Sequence, residues 1–297
     1  MKNPAIQYID NLQSQSSRHQ QTTVLNKAAR LLSGRDIGAG DYEWHKIGRQ
    51  DIMDLRRDLM RKDYAIATIN GYLNAIRQVV IQCRRDKLIT REEELDLNDI
   101  PRVRGRDITK GRRLEMDEYR HLIDTIEGHK KTRYFLRTRD AAMCSVALGC
   151  GARSGEVIKL QYDDVNFDEN TILVHGKGNK TELLYMPEST AKRLQKWIAE
   201  RGDYEGYLFY STKGGGEEPL TRHGFYDTLK KWRIIAGLPK FTSHDFRRTT
   251  ITNLFETRGG DLSAIQRFAR HSSPQTTMLY DKRGSEVNRS IADDIEA

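Results

Sequence analysis

Ser243-His244-Asp245-Phe246-Arg247-Arg248-Thr249 is the stretch on which the reading of this chain turns, taken together with His271 and, nine positions after it, Tyr280. A His-x-x-Arg followed by a second histidine and then a lone tyrosine suits attack of a tyrosine hydroxyl on a phosphodiester, a reaction that needs no metal. The phosphodiester under attack develops negative charge on its non-bridging oxygens, and arginine meets that charge best with a permanently charged fork of donors. A nucleophile must approach in line and a proton donor must reach the departing 5′ oxygen. The aryl phosphate formed by tyrosine is itself a fair leaving group, so the broken bond can be rejoined.

Around this stretch the hydrophobic pattern predicts helices over His244–Thr257, Leu262–Ala269 and Pro274–Tyr280, preceded by one over His223–Ala236. Further towards the N-terminus, helices are expected at Met116–Glu127, Arg137–Leu148 and Thr190–Arg201, with another beginning at Ser154–Leu160. Thr171–His175 and Glu182–Met186 alternate and are β-rich, so with Gly176-Lys177-Gly178-Asn179-Lys180 between them they read as a hairpin. Residues 1–100 show four amphipathic stripes, the longest being Ile69, Leu73, Ile76, Val79, Val80 and Cys83, and predict a small helical bundle. Thr68, Asn70, Asn74 and Arg77 lie off that stripe and are candidates for contact with phosphates or base edges. Residues 101–113 read as a basic linker, in which Arg102 and Arg104 are further candidates for contact with DNA. The catalytic part then spans 114–297.

Bulk properties agree with a polyanionic partner. The net charge is +8, with 20 Lys and Arg against 15 Asp and Glu in residues 1–110 and 30 against 27 beyond, so both halves are basic. Cations that neutralise phosphates release condensed counterions, which drives association. Cys83, Cys144 and Cys150 are odd in number and lack zinc-ligand spacing, which predicts reduced thiols and a cytoplasmic setting. Neither a membrane span nor a signal segment is expected.

With these residues in view, the chain resembles the tyrosine recombinases, the phage-integrase family, with a layout most similar to their Xer-like branch. Gly151-Ala152-Arg153-Ser154-Gly155-Glu156 resembles the family's first-arginine motif, and Gly176-Lys177-Gly178-Asn179-Lys180 its lysine hairpin. Ser243–Thr249 resembles its His-x-x-Arg box, and Phe268–Tyr280 its terminal motif. Each motif alone says little, since a single Arg, Lys, His or Tyr is far more often a surface or core residue; the four in order are specific.

The resemblance implies a mainly α fold with a small antiparallel β-sheet: an N-terminal helical, SAM-like core-binding domain (1–100) and a catalytic domain. It implies that Arg153 and Arg247 clamp the scissile phosphate, and that Lys177 protonates the leaving 5′ oxygen. His244 would act as acid/base on the tyrosine proton, His271 would hydrogen-bond a non-bridging oxygen, and Tyr280 would form a 3′-phosphotyrosyl link. Glu156 would orient the arginines. No metal or other cofactor is implied. The partners implied are double-stranded DNA with paired half-sites and a homo-tetramer that exchanges a C-terminal helix (about 286–297) between protomers, with an accessory protein as a further possible partner. Ala269-Arg270 departs from the Leu-Gly usual before the second histidine; Arg270 there would either shift His271 or add a phosphate contact. The acidic Arg91-Glu92-Glu93-Glu94 stands where relatives often have Asn-Pro before the linker. Two other readings stay open: a type IB topoisomerase-like enzyme, and a catalytically silent DNA-binding relative.

Overall fold

The computed structural model describes residues 2–105, 111–176, 181–212, 218–257 and 261–282. Lys177, with most of its loop, and the segment 286–297 lie outside the described residues. The chain divides into two compact units, Met1–Lys110 and Gly111–Ala297.

The N-terminal unit is built round one long helix. α1 (Pro4–Asp10), α2 (Gln15–Ser33), α3 (Arg49–Arg61) and α5 (Arg91–Asn98) all pack on α4 (Ile66–Arg85). The apolar stripe of α4 is fully enclosed, with Ile69, Tyr72, Leu73, Ile76, Val79, Val80 and Cys83 buried. Ser14 caps the start of α2 by accepting from the Ser17 N–H at 3.1 Å, and Gly34, at φ +66°, ends it in a left-handed turn that a side chain would strain.

Among the described residues, five α-helices stand where the sequence shows four stripes. The fifth, α5, carries only Leu95 and Leu97 as apolar residues, too few to show a period. What starts it is polar: Thr90 and Glu93 form a reciprocal capping box, and buried Glu94 pairs with Arg84 at 2.5 Å and Arg91 at 2.8 Å. Beyond α5 the extended chain stays on the bundle. Ile100 and Val103 are buried, and Asn70 on α4 exchanges two hydrogen bonds, 3.0 and 2.9 Å, with the Val103 carbonyl and N–H.

In the second unit, α7 (Tyr134–Gly149) is buried without a break from Thr138 to Leu148 and is flanked by α6 (Met116–Gly128), α9 (Glu188–Arg201) and α11 (Ser243–Thr257). β1 (Val165–Asn166), β2 (Thr171–His175) and β3 (Thr181–Tyr185) form an antiparallel sheet in that order, with Ile172 opposite Leu184 and Val174 opposite Glu182. The second strand of the expected hairpin thus begins one residue early, at Thr181. β4 (Tyr210–Ser211) and β5 (Glu218–Pro219) make a second, two-stranded sheet. α8 (Ser154–Val157), expected to run to Leu160, is a single turn, and α10 (Arg222–Ile235) follows the second sheet. α12 (Leu262–Ala269) and α13 (Pro274–Met278) complete the unit; α13 stops two residues short of Tyr280. No helix among the described residues is long and apolar enough to cross a membrane.

An ion pair lies in this core. Arg139 donates to Asp140 at 2.7 Å and to the Tyr210 carbonyl at 2.9 Å, while the Trp232 indole N–H donates to the other Asp140 oxygen at 2.7 Å. All four residues are buried. Replacing Asp140 with Ala strands a guanidinium and an indole N–H, so unfolding in urea should show a loss of about 3–5 kcal/mol. A loss below about 1 kcal/mol would mean that water or relaxation supplies the missing partners.

Candidate active site

The site forms where three chain segments meet: the α7–α8 turn, the first turns of α11, and the stretch from the end of α12 to Tyr280. Their contact follows from one side chain. Arg247, 2 % exposed, points from α11 between the other two segments and donates to the Gly151 carbonyl at 2.6 Å and to the Ala269 carbonyl. Both acceptors are main-chain carbonyls at helix ends, where intrahelical partners run out. Gly151 presents its carbonyl from a left-handed backbone, φ +59°, which glycine adopts without strain. Burial, then the Arg153 and Arg270 charges, push the Arg247 guanidinium down to about 10, so it is still charged at neutral pH.

Arg153 stands at the N-cap of α8 and remains 44 % exposed in its side chain. Glu156 folds back over that helix start, accepting from the Arg153 N–H at 2.8 Å and from its guanidinium at 2.8 Å. The other Nη of Arg153 donates to the Arg270 carbonyl at 3.0 Å. Burial raises the Glu156 pKa, but hydrogen bonds and charge from Arg270 and Arg153 outweigh it, and the carboxyl titrates below its ordinary value. The two candidate phosphate arginines are thus fixed from the same short segments, Gly151–Arg153 and Ala269–Arg270.

His244 lies one turn before Arg247, on the same side of α11. That helix start is organised by buried Asp245, which accepts from the Thr242 N–H at 2.8 Å, the Thr242 hydroxyl at 2.9 Å and the Arg112 N–H at 3.0 Å. Desolvation and the charges of Arg248 and Arg247 hold His244 below its usual pKa. His271 follows Arg270, with its Nδ1 engaged by the Thr277 hydroxyl at 2.9 Å, so Nε2 is the ring nitrogen that can face a ligand. Its ring stacks on Tyr280, with centroids 5.7 Å apart and planes at 18°. Tyr280 is 6 % exposed and packs with Ile251, Phe255, Ile265 and Ala269, while the Arg248 guanidinium lies 5.5 Å from its ring centroid.

Partial burial, then the surrounding Arg247, Arg153, His244 and Arg270, push His271 down to about 4. Its folded pKa therefore lies below the ordinary value of 6.5, and between pH 6.5 and 4 the unfolded chain holds a proton that the folded site refuses. Stability should fall as pH drops through that window and gain nothing from His271 above it, with His244 adding to the trend in the same direction. An NMR titration should find the His271 ring neutral at pH 5.5; an ordinary histidine titration there would contradict the geometry. A phosphate between these groups would raise both histidine pKa values, so DNA binding should take up protons below pH 6.

Six of the seven residues read as catalytic or supporting are therefore placed: Arg153 bonded to Glu156, His271 stacked on Tyr280, Arg247 anchored on the Gly151 and Ala269 carbonyls, and His244 one turn before Arg247. The sequence reading does not include Thr277 and Arg248 in this cluster, and it gives the Arg270 side chain a shift of His271 or a phosphate contact, not the pairing with Glu156 found here. Thr277 lies six residues after His271, and nothing in a sequence distinguishes a threonine that orients a ring from one that merely fills a turn.

In the N-terminal unit the candidates for contact with DNA differ in their surroundings. Thr68, Asn74, Arg102 and Arg104 are exposed. Asn70 and Arg77 instead hold the 100–103 segment to α4, Asn70 through Val103 and Arg77 through the Ile100 carbonyl. Main chain leaving a helix needs hydrogen-bond partners, and these two side chains supply them.

Residues 112–285 match the phage integrase family. The tyrosine recombinase XerC of Alcanivorax borkumensis is 27% identical over 256 residues, 84% of this chain and 80% of the relative. XerD of Pseudomonas aeruginosa is 29% identical over 241 residues, 79% and 77% of the two chains. Among solved structures, the Tn1549 transposon integrase in complex with transposon right-end DNA superposes with a TM-score of 0.74 at 18% identity, covering 100% of both chains, which speaks for a shared fold. The chain belongs to the phage integrase family, the tyrosine recombinases that break and rejoin DNA, and within it is Xer-like.

Proposed function

We propose that this protein is a site-specific recombinase that cuts DNA through a 3′-phosphotyrosyl intermediate at Tyr280 and exchanges strands by way of a Holliday junction. The observation that carries this reading is the joint anchoring of Arg153 and Arg247 on the carbonyls of Gly151, Ala269 and Arg270, with His271 stacked on Tyr280 beside them. Two guanidiniums held by the same main chain form a preorganised cradle for the charge that develops on a scissile phosphate. In the proposed reaction the Tyr280 oxygen attacks phosphorus, and its proton passes to His244. The 5′ oxygen departs and takes a proton from Lys177, while His271 donates to a non-bridging oxygen. Attack by that 5′ hydroxyl on the phosphotyrosine reverses the step, so no bond energy has to be supplied from outside.

The N-terminal unit would grip the duplex, with Thr68, Asn74, Arg102 and Arg104 as contact candidates and Asn70 and Arg77 shaping the surface around them. Four protomers on two paired half-sites, linked by their C-terminal segments, would perform the two rounds of strand exchange, in integration and excision of a mobile element or in dimer resolution. Covalent capture tests the reading. The protein is incubated with fragmented DNA of its source in the presence of a chelator and denatured with detergent, and the attached DNA is sequenced. Adducts at one recurrent site are expected. Scattered adducts would favour topoisomerase-like relaxation; binding without adducts would favour a silent relative.

A further inference from the structure

Arg270 is conspicuous on three counts. Its backbone sits in the left-handed region, φ 54° and ψ 47°, where a side chain other than glycine costs about 1 kcal/mol. Its side chain is only 5 % exposed. Its guanidinium straddles Glu156, donating to one carboxylate oxygen at 2.8 Å and to the other at 3.3 Å, and also reaches Glu182 on β3 at 3.5 Å. The remaining Nε is enclosed and lacks a partner among the described residues.

Glu156 is therefore shared by two arginines with different exposures. Arg153 lies outermost, 44 % exposed, and Arg270 lies behind, with Glu156 itself 7 % exposed between them. Residue 270 meets Arg153 twice: directly, through its carbonyl, and indirectly, through the carboxylate. A glycine at 270 would keep the left-handed turn and the carbonyl contact. It would leave an enclosed carboxylate with one arginine in place of two, and empty space behind it.

We propose that Arg270 is a positioning residue, which locks the Glu156 carboxylate and through it turns the Arg153 guanidinium outward toward the phosphate, without contacting DNA itself. The inference rests on the proposed phosphate site. It assigns to the departure at Ala269-Arg270 a third role, neither displacement of His271 nor an added phosphate contact.

The test is a double-mutant cycle read in single-turnover cleavage of the captured site, with half-site affinity measured in parallel. Arg270→Gly suits the backbone and should slow cleavage about 10- to 100-fold while leaving Kd within about threefold. In a Glu156→Gln background the same change should cost less than about threefold, because the carboxylate it acts through is gone. Loss of affinity in step with rate would mean a direct phosphate contact and would overturn the proposal. So would an equal cost in both backgrounds, or wild-type cleavage by Arg270→Gly. A second readout needs no activity. In the DNA-free protein, nitrogen-detected NMR should resolve distinct Nη–H signals for Arg153, identified by their loss in Arg153→Lys, that average together in Arg270→Gly. Unchanged signals would sink the positioning role. Absence of adducts from the wild-type protein would sink the proposed recombinase function and leave this second readout to decide on Arg270.

Discussion

Tyr280→Phe should bind DNA as the wild-type protein does and form no covalent adduct, with strand exchange reduced by on the order of 10^4-fold or more. The ring stacks on His271 and is enclosed by Ile251, Phe255, Ile265 and Ala269, and phenylalanine fills the same volume. Only the oxygen is removed, so the fold, the cradle and the DNA affinity should persist. Denaturing gels of the variant with the captured site, alongside a band-shift titration, measure both halves of this expectation. Adducts that survive the substitution would mean that another nucleophile does the chemistry and would remove Tyr280 from the proposed mechanism.

Arg247→Lys should bind DNA nearly normally yet cleave about 10^2- to 10^3-fold more slowly. The guanidinium satisfies two carbonyls, at Gly151 and Ala269, which lie on different segments of the site. Lysine keeps a positive charge, but an ammonium on a flexible stem cannot hold both carbonyls in a fixed plane and also face a phosphate. The rate loss is what a missing transition-state donor costs in a dry, preorganised site. Arg247→Ala should be worse in a second way: two buried carbonyls lose their donor, which adds about 1–3 kcal/mol of destabilisation. Single-turnover rates and urea unfolding separate the two effects. A lysine variant that cleaves at the wild-type rate would show that Arg247 serves packing alone.

Much of this was legible in the order of residues. Long helices announced themselves by period, as in the α4 stripe from Ile69 to Cys83, because burial of one face demands apolar residues at helical spacing. The strand Thr171–His175 was bounded correctly because alternation is a short-range property. α5 was hidden because its start is specified by a cap and its packing by a buried ion pair, neither of which leaves a hydrophobic rhythm. α8 was overestimated because the residues after Val157 turn away after one helical turn, into the segment that leads to the first sheet.

The site divides in the same way. Which residues carry the proposed chemistry is a local matter of motif, and His244, Arg247, His271 and Tyr280 could be named from spacing and resemblance. How they are held is not local. Arg247 is fixed by carbonyls 96 and 22 residues away, and Arg153 by one 117 residues away. The depressed pKa of His271 arises chiefly from enclosure and from cations contributed by other segments. Arg270 is only a departure from a motif until its partner, 114 positions earlier, is in place. The sequence by itself determined the helical class, the basic character, the motifs and their order, because these depend on residue type and short spacing. Tertiary structure alone decided which carbonyls orient the arginines, which histidine nitrogen faces outward and what Arg270 pairs with. Those properties belong to contacts between distant segments, whose energies depend on burial and geometry rather than on neighbours in the chain.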